Sequence, residues 1–269
     1  VPVGGVYGFL SVGLRVHSRY GGKVAVAWEG RRNFRVDLYP SYKGRDRPPD
    51  PERLEIIQEM IHQERLLIGL LRSMGVRQYR GVNCEADDVI GRLATIGKRC
   101  RATTIVYSGD SDLRQLVGSG TYAVSPGKSS DTLYNEQQVV DKHGVPPVLI
   151  AEYKALSGDS SDNIPGISGV GPKTAAALLN HYGALRAVCR AAKDGDEGWP
   201  VAERFRASIR SGAEDLRLYL KLTRIRTDAP WQPIRPKRSQ GDLLQQLRTL
   251  KFRTLAAPAE LHGLMNMGK

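Results

Sequence analysis

The sequence predicts an α/β protein with a mostly parallel sheet, followed by a helical region. Short β runs at Lys23–Trp28 and Thr103–Tyr107 alternate with amphipathic helical stretches, the order that right-handed crossovers turn into parallel strands. Beyond Tyr134 the periodicity is helical throughout and no stretch reads as a convincing strand. Acidic side chains gather where elements begin or end, and in open α/β sheets functional groups collect beyond the carboxyl ends of the strands.

Val6–Tyr20 reads as a helix closed by Gly21 and Gly22, and Lys23–Trp28 is a β run whose alternation stops at Glu29. Arg31–Asp50 mixes arginines, tyrosines and prolines with no sustained apolar face, which predicts an exposed segment. A long amphipathic helix is expected from Pro51 to Met74, with Leu54, Ile57, Ile61, Ile68 and Leu71 among its apolar positions and Pro51 suited to a first turn. A short extended piece at Val76–Tyr79 precedes a helix over Glu85–Lys98, and Thr103–Tyr107 is the strongest strand. Further helices are expected at Gln137–Lys142, Pro147–Leu156, Lys173–Asn180, Leu185–Ala192, Val201–Ile209, Glu214–Ile225 and Leu243–Leu250, with Asp228–Gln240 as a connector.

The 269 residues carry a formal net charge of +12, which favours a polyanionic partner and makes nucleic acid the simplest one. No apolar run approaches the ~20 residues of a membrane span, and Val1–Leu14 does not read as a signal peptide. A cytoplasmic setting is expected. Cys84, Cys100 and Cys189 are odd in number and lack a CxxC or Cys/His spacing, so neither a disulfide framework nor a structural zinc site is predicted.

Within this basic chain lie three acidic knots: Glu85/Asp87/Asp88, Asp110/Asp112 and Asp159/Asp162. Two carboxylates a few ångströms apart repel by about 4 kcal/mol at an effective dielectric near 20, so gathering them is costly unless cations neutralise the set. Each knot has a plainer reading. Acids at a helix start suit the macrodipole, and Asp110 or Asp159 could simply form an Asx turn. Three such knots at element boundaries favour metal, and hard oxygen ligands point to Mg²⁺ or Mn²⁺. Glu29 follows a strand at the same edge as Asp110.

Ile167-Ser-Gly169-Val-Gly171-Pro172-Lys173-Thr174-Ala175 is a glycine-bracketed turn running into a helix. Such turns expose backbone amides to phosphate, and Lys173 adds a cation. Gly169, Gly171, Lys173 and Thr174 are therefore candidate DNA contacts of a helix-hairpin-helix. Between Arg31 and Arg47, tyrosines interleave with arginines and lysine, a composition that is usually a solvated face but also suits single-stranded nucleic acid.

In this order, Phe34-Arg35, Tyr42-Lys43, Glu85-Ala-Asp87-Asp88, Gly109-Asp110-Ser-Asp112, Gly158-Asp-Ser-Ser-Asp162-Asn-Ile-Pro-Gly166 and Gly169-Val-Gly171 resemble the 5′ nuclease family. That family includes flap endonucleases, bacteriophage 5′ exonucleases and the 5′ nuclease domain of bacterial DNA polymerase I. The resemblance implies a PIN-like core over residues 1–134 with a helical arch near 31–50, and a helical region over 135–269 with its hairpin near 156–182. It implies a Mg²⁺-dependent 5′-3′ exonuclease and flap endonuclease of replication or repair, working on 5′ flaps and duplex/single-strand junctions as a monomer. Glu85, Asp87, Asp88, Asp110, Asp112, Asp159 and Asp162, with Glu29 where the family has aspartate, would hold two Mg²⁺, with Mn²⁺ able to substitute. Lys43 and Arg47 correspond to the arch cations that meet the scissile phosphate, Arg47 only with one residue inserted, and Arg35, Tyr42 and Lys43 join the DNA-binding set. The family also has a strand ending in a catalytic aspartate ahead of the helix matching Val6–Tyr20. Because this sequence starts at Val1, the expectation is a slot in the sheet and one ligand fewer, and the alternative reading is a DNA-binding protein that no longer cuts.

Overall fold

A computed structural model describes residues 3–44, 51–127 and 130–269. Along the chain run α1 (Gly4–Tyr20), β1 (Ala25–Trp28), α2 (Phe34–Leu38), α3 (Pro51–Met74), β2 (Arg77–Gly81), α4 (Ala86–Arg99), β3 (Thr104–Tyr107), β4 (Thr121–Ser125) and β5 (Thr132–Tyr134). Then follow α5 (Glu136–His143), α6 (Ile150–Ser157), α7 (Pro172–Tyr182), α8 (Leu185–Asp194), α9 (Arg204–Ser211), α10 (Ala213–Thr223), β6 (Trp231–Ile234), α11 (Gln240–Thr249) and α12 (Pro258–Asn266). The elements sort into two compact units, one formed by Val1–Arg31, Pro48–Val82 and Pro230–Lys269, the other by Arg32–Arg47 and Asn83–Ala229. Neither unit is a continuous stretch of sequence, and the boundary expected after residue 134 falls inside the second.

The first unit holds a three-stranded sheet in the order β1-β2-β6, in which β1 and β2 are parallel with Trp28 opposite Arg80, and β6 runs antiparallel to β2. Trp28 Nε1 donates to Gln78 Oε1 at 3.0 Å, and Gln78 Nε2 donates to Ile68 O at 3.2 Å. This pair satisfies a buried amide between strand and helix. The core beneath is built from α3, α11 and α12: Leu70, Leu71, Met74, Leu243, Leu247 and Leu264 are fully buried.

Two expectations are corrected here. The sequence showed no strand beyond Tyr134, yet Trp231–Ile234 is one. Pro233 disguises it, and Pro is accepted because β6 is an edge strand with a free N–H side. The long helix over 51–74 is present, but only its last turns enter the core. Leu54, Ile57 and Ile61 are 45%, 37% and 46% exposed, so the amphipathic pattern at its start does not report burial.

In the second unit the sheet order is β3-β4-β5, parallel between β3 and β4 and antiparallel between β4 and β5. A helical array, α6 to α10, supplies the main core through Leu156, Leu178, Leu179, Val188, Ile209 and Leu216. Residues 32–44 pack into this unit. The segment from Arg31 was expected to be exposed, but Tyr42 is 1% and Arg35 2% exposed. What looked like a charge run buries Arg35 and Tyr42 among polar partners while Arg32, Asp37 and Leu38 stay exposed. Among the described residues no helix is long and apolar enough to cross a membrane.

Candidate active site

Each acidic knot is placed by the end of a regular element. Glu85 precedes α4, and its backbone N–H donates to Asp88 Oδ2 at 3.1 Å, fixing the first turn. Asp110 follows β3, and its Oδ1 accepts the Asp112 N–H at 2.8 Å. The Asx turn is therefore real, and it orients Asp112. Asp159 and Asp162 sit on the loop after α6, closed by paired backbone bonds of 2.8 Å between Asp159 and Ile164. Gly166 lets that loop cross itself. It has φ +70°, and a Cβ there would lie 2.2 Å from the Gly158 nitrogen, so any side chain would prise the loop ends apart.

These loops converge. Asp112, Asp159 and Asp162 present carboxylate oxygens that all lie within 4.8 Å of one another. Glu85, Asp87 and Asp110 line the same cavity as Asp112 and Asp162, a space of ≈ 10 Å³, about that of one water or small ion. Opposite ligands of Mg²⁺ stand about 4 Å apart, at 2.0–2.1 Å from the ion, so small side-chain shifts suffice and the all-oxygen donor set fits a hard divalent cation. Glu29 belongs to the other unit, at the carboxyl end of β1.

Two lysines thread this set. Lys43, at a left-handed φ of 54°, places Nζ 2.7 Å from Glu85 Oε1 and 3.7 Å from Asp162 Oδ1. Lys154 lies between knots, bonded to Asp112 Oδ1 and, at 2.6 Å, to Asp159 Oδ2. Sequence reasoning missed Lys154. The available signal was a lysine on the last turns of the helix leading into the Asp159 loop.

Tyr42 is buried with its hydroxyl oxygen 3.0 Å from Glu85 Oε2 and 2.9 Å from Asp162 Oδ2, so that its single proton is shared between the two carboxylates. Burial, then the charges of Glu85 and Asp162, push its pKa up, so it stays a proton-bearing donor. Burial also raises Asp162, against the opposing pull of Lys43 and Tyr42. Asp159 meets the same burial, but hydrogen bonds from Lys154 and Ser161 outweigh it and hold the group below its ordinary value. The cluster of Asp112, Asp159 and Asp162 thus keeps at least one secure carboxylate.

Three assignments change on this geometry. Tyr42 cannot stack on a base, because its ring is inside the protein. Arg35 is no phosphate contact: Nη1 and Nη2 donate to Asp88 Oδ2 and Oδ1 at 2.6 and 2.9 Å, Nε to Leu222 O at 2.7 Å, and Nη2 also to Arg224 O at 2.9 Å. Asp88 in turn is 0% exposed and accepts the Arg226 N–H at 2.8 Å, so its oxygens are spent on Arg35 and backbone instead of facing the acidic cavity. Arg47 lies outside the described residues. Cys84 is buried.

Behind Asp112 a second buried cation is braced. Arg114, 9% exposed, has Nη1 3.0 Å from His143 Nε2 and stacks 4.2 Å over the Tyr134 ring. Burial, then the charges of Arg114 and Lys142, push the His143 pKa down to about 4, so the ring is neutral and its Nε2 accepts. The unfolded chain takes a proton near pH 6.5 that the fold refuses until about pH 4, and stability therefore falls as pH drops through that window. His143→Gln keeps an acceptor without the titration. Thermal melts of the variant should lose less stability between pH 6.5 and 4 than wild type; a variant that loses more would contradict the neutral assignment.

The hairpin is formed as expected from its glycines. Gly169 has φ +79°, Gly171 is the residue before α7, Pro172 occupies the first turn, Lys173 is exposed and Thr174 half-buried. Its first amides have no side-chain cap.

An α/β frame whose loops focus carboxylates is followed in the chain by a glycine hairpin. The family model for the 5′-3′ exonuclease N-terminal resolvase-like domain matches residues 1–144, and that for the 5′-3′ exonuclease C-terminal SAM fold matches 145–251. The chain belongs to the 5′-3′ exonuclease family. The 5′-3′ exonuclease of Mycobacterium tuberculosis is 34% identical over 246 residues, covering 85% of this chain and 76% of that protein. The thermostable DNA polymerase I of Thermus filiformis is 35% identical over 233 residues, covering 85% of this chain but 26% of the polymerase. The chain thus spans about a quarter of such polymerases. The bacteriophage T5 flap endonuclease, solved as a pseudo-enzyme-product complex with DNA and metal ions, superposes with a TM-score of 0.68 at 16% identity, over 98% of this chain and 90% of that one.

Proposed function

We propose that the chain is a structure-specific 5′ nuclease that hydrolyses DNA phosphodiesters at 5′ flaps and duplex/single-strand junctions with two Mg²⁺, Mn²⁺ being able to substitute. The observation that carries this is the meeting of Asp112, Asp159 and Asp162 within 4.8 Å in a chain of net charge +12. The chemistry that divalent ions supply when bound to such a set is Lewis-acid stabilisation of the attacking and leaving oxygens of an in-line displacement.

The chain's own residues do the rest. Asp112, Asp159 and Asp162, with Glu85, Asp87 and Asp110 on the same cavity, hold the ions. Asp88 serves this set indirectly by holding Arg35 and the first turn of α4. The Tyr42 hydroxyl fixes the facing oxygens of Glu85 and Asp162. Lys43, 31% exposed at its side chain, combines a carboxylate partner with access to solvent, which suits it to meet the scissile phosphate, and Arg47 is assigned the same task. Gly169, Gly171, Lys173 and Thr174 grip the duplex without reading sequence. In this reading residues 1–134 form the PIN-like core and residues 135–269 a helical region that carries the duplex grip and also supplies Asp159 and Asp162 to the ions. A cytoplasmic monomer acting in replication or repair is part of the proposal.

A 5′-labelled flap duplex incubated with the purified chain should be cut near the junction in Mg²⁺ and left intact in EDTA. Binding without metal-dependent cutting would overturn the nuclease reading and favour a DNA-binding protein.

A further inference from the structure

The basic residues that follow the hairpin in sequence are of two kinds. Arg206 is consumed internally: Nε lies 2.6 Å from Glu203 Oε1, Nη1 donates to Ala191 O at 3.2 Å and Nη2 to Asp196 O at 2.7 Å, and the guanidinium lies 4.7 Å from the Trp199 ring centre. Arg204, two residues earlier, is exposed. Its carbonyl accepts from Ser208 Oγ at 3.4 Å, and its guanidinium carbon stands 4.7 Å from the centre of the Phe205 ring. The neighbouring carboxylate, Glu203, is already taken by Arg206.

The ring on which Arg204 rests also backs the hairpin. A Cβ built on Gly169 would lie 3.5 Å from Phe205 Cε1, ordinary contact, so Gly169 is required for its φ of +79° and the aromatic ring sets how far the turn can sink. Phe205 itself is 9% exposed. One buried ring therefore supports both the turn that offers backbone amides and a guanidinium at the surface.

Helix electrostatics does not explain Arg204. It opens α9, and a cation in a first turn opposes the helix dipole. Lys173 stands in the same disfavoured position in α7, and neither helix has an acid in its first turn. A phosphate reverses the sign of this arrangement, since helix amino ends and the two cations then attract the same group. Stacking on Phe205 also restricts the arginine in advance, which lowers the entropy lost when it pairs.

We infer that Arg204 is a phosphate contact of the hairpin, held on Phe205 beside Gly169 so that Lys173 and Arg204 flank the turn and engage the DNA backbone together. The inference rests on the proposed duplex grip of the hairpin and adds a residue outside its glycine motif.

The test is the salt dependence of binding of the full-length chain to a blunt duplex in EDTA, read by fluorescence anisotropy. Arg204→Gln should weaken binding and reduce the magnitude of the slope of log K against log salt by about 1, as expected when one phosphate contact is lost. Lys173→Ala should do the same, the double variant should lose about 2, and Arg204→Lys should restore the slope. Arg210→Gln, an exposed change elsewhere on α9, should leave it unaltered. Melting temperature serves as the check on folding. If Arg204→Gln binds with the wild-type slope while Lys173→Ala does not, the inference is overturned and the hairpin reading stands. If both keep the wild-type slope, the hairpin reading itself fails. An equal loss in Arg210→Gln would mean that general charge is being measured, which also overturns the inference.

Discussion

Asp110→Asn together with Asp112→Asn should lower cleavage of a flap duplex by about 10³-fold or more and leave duplex binding intact or slightly tighter. Loss of several kcal/mol of metal-derived charge stabilisation corresponds to that factor. The substitution is chosen so that little else moves. The side-chain carbonyl of an asparagine in place of Asp110 can still accept the backbone amide two residues on, the 2.8 Å bond that shapes the turn, and Lys154 keeps Asp159 at 2.6 Å. What changes is charge: two negative groups leave a cavity that Glu85, Asp87 and Asp162 also line. Divalent-ion binding, followed by calorimetry, should weaken in parallel with cleavage. DNA binding should gain if anything, because two charges that repel phosphate are gone. Cutting at the wild-type rate would sink the metal assignment, and lost binding would mean that the loop had collapsed.

How much of this could be read from the residues depends on what each signal reports. The alternation of strand and helix was legible because apolar periodicity is a local record of burial, and β3 and α4 appear within a residue or two of their expected limits. The three acidic knots were legible because acids gathered in a basic chain must answer to some local cause. Their sharing of ions was expected from the number of knots and from the resemblance, but which oxygens meet was not legible, since that depends on how loops far apart in sequence are brought together. Where the reading went astray, at Arg35 and Tyr42, composition and the resemblance both pointed to a DNA-facing surface. A run of arginines and tyrosines describes a nucleic-acid surface and a buried polar network equally well, and only the partners decide. Lys154 was invisible for the complementary reason: a single lysine on a helix carries no pattern until Asp112 and Asp159 are seen on either side of it. The strand β6 was hidden by Pro233, whose breaking tendency lapses at a sheet edge.

Arg35 offers the sharpest separation of these readings, because a phosphate contact and a buried brace respond oppositely to its removal. Its guanidinium ties the start of α4, through Asp88, to the carbonyls of Leu222 and Arg224 at the end of α10. Burial works against its charge, and the hydrogen bonds and charge of Asp88 more than offset it, so its pKa is held up. Arg35→Ala leaves Asp88, 0% exposed, with an uncompensated charge, a change that typically costs ~3–5 kcal/mol. In a chain of this size that is a fall in Tm of roughly 10 °C. Arg35→Lys should recover only part of the loss, because a single ammonium cannot span two carboxylate oxygens and two carbonyls at once. Pairing Arg35→Met with Asp88→Leu removes both charges and should be less damaging than Arg35→Ala alone, the signature of a pair whose desolvation nearly cancels its attraction. The salt slope of Arg35→Ala for duplex binding should equal that of wild type, since no phosphate contact is lost. A variant with native Tm and a shallower slope would return Arg35 to the DNA-facing surface and reverse the assignment made from its partners.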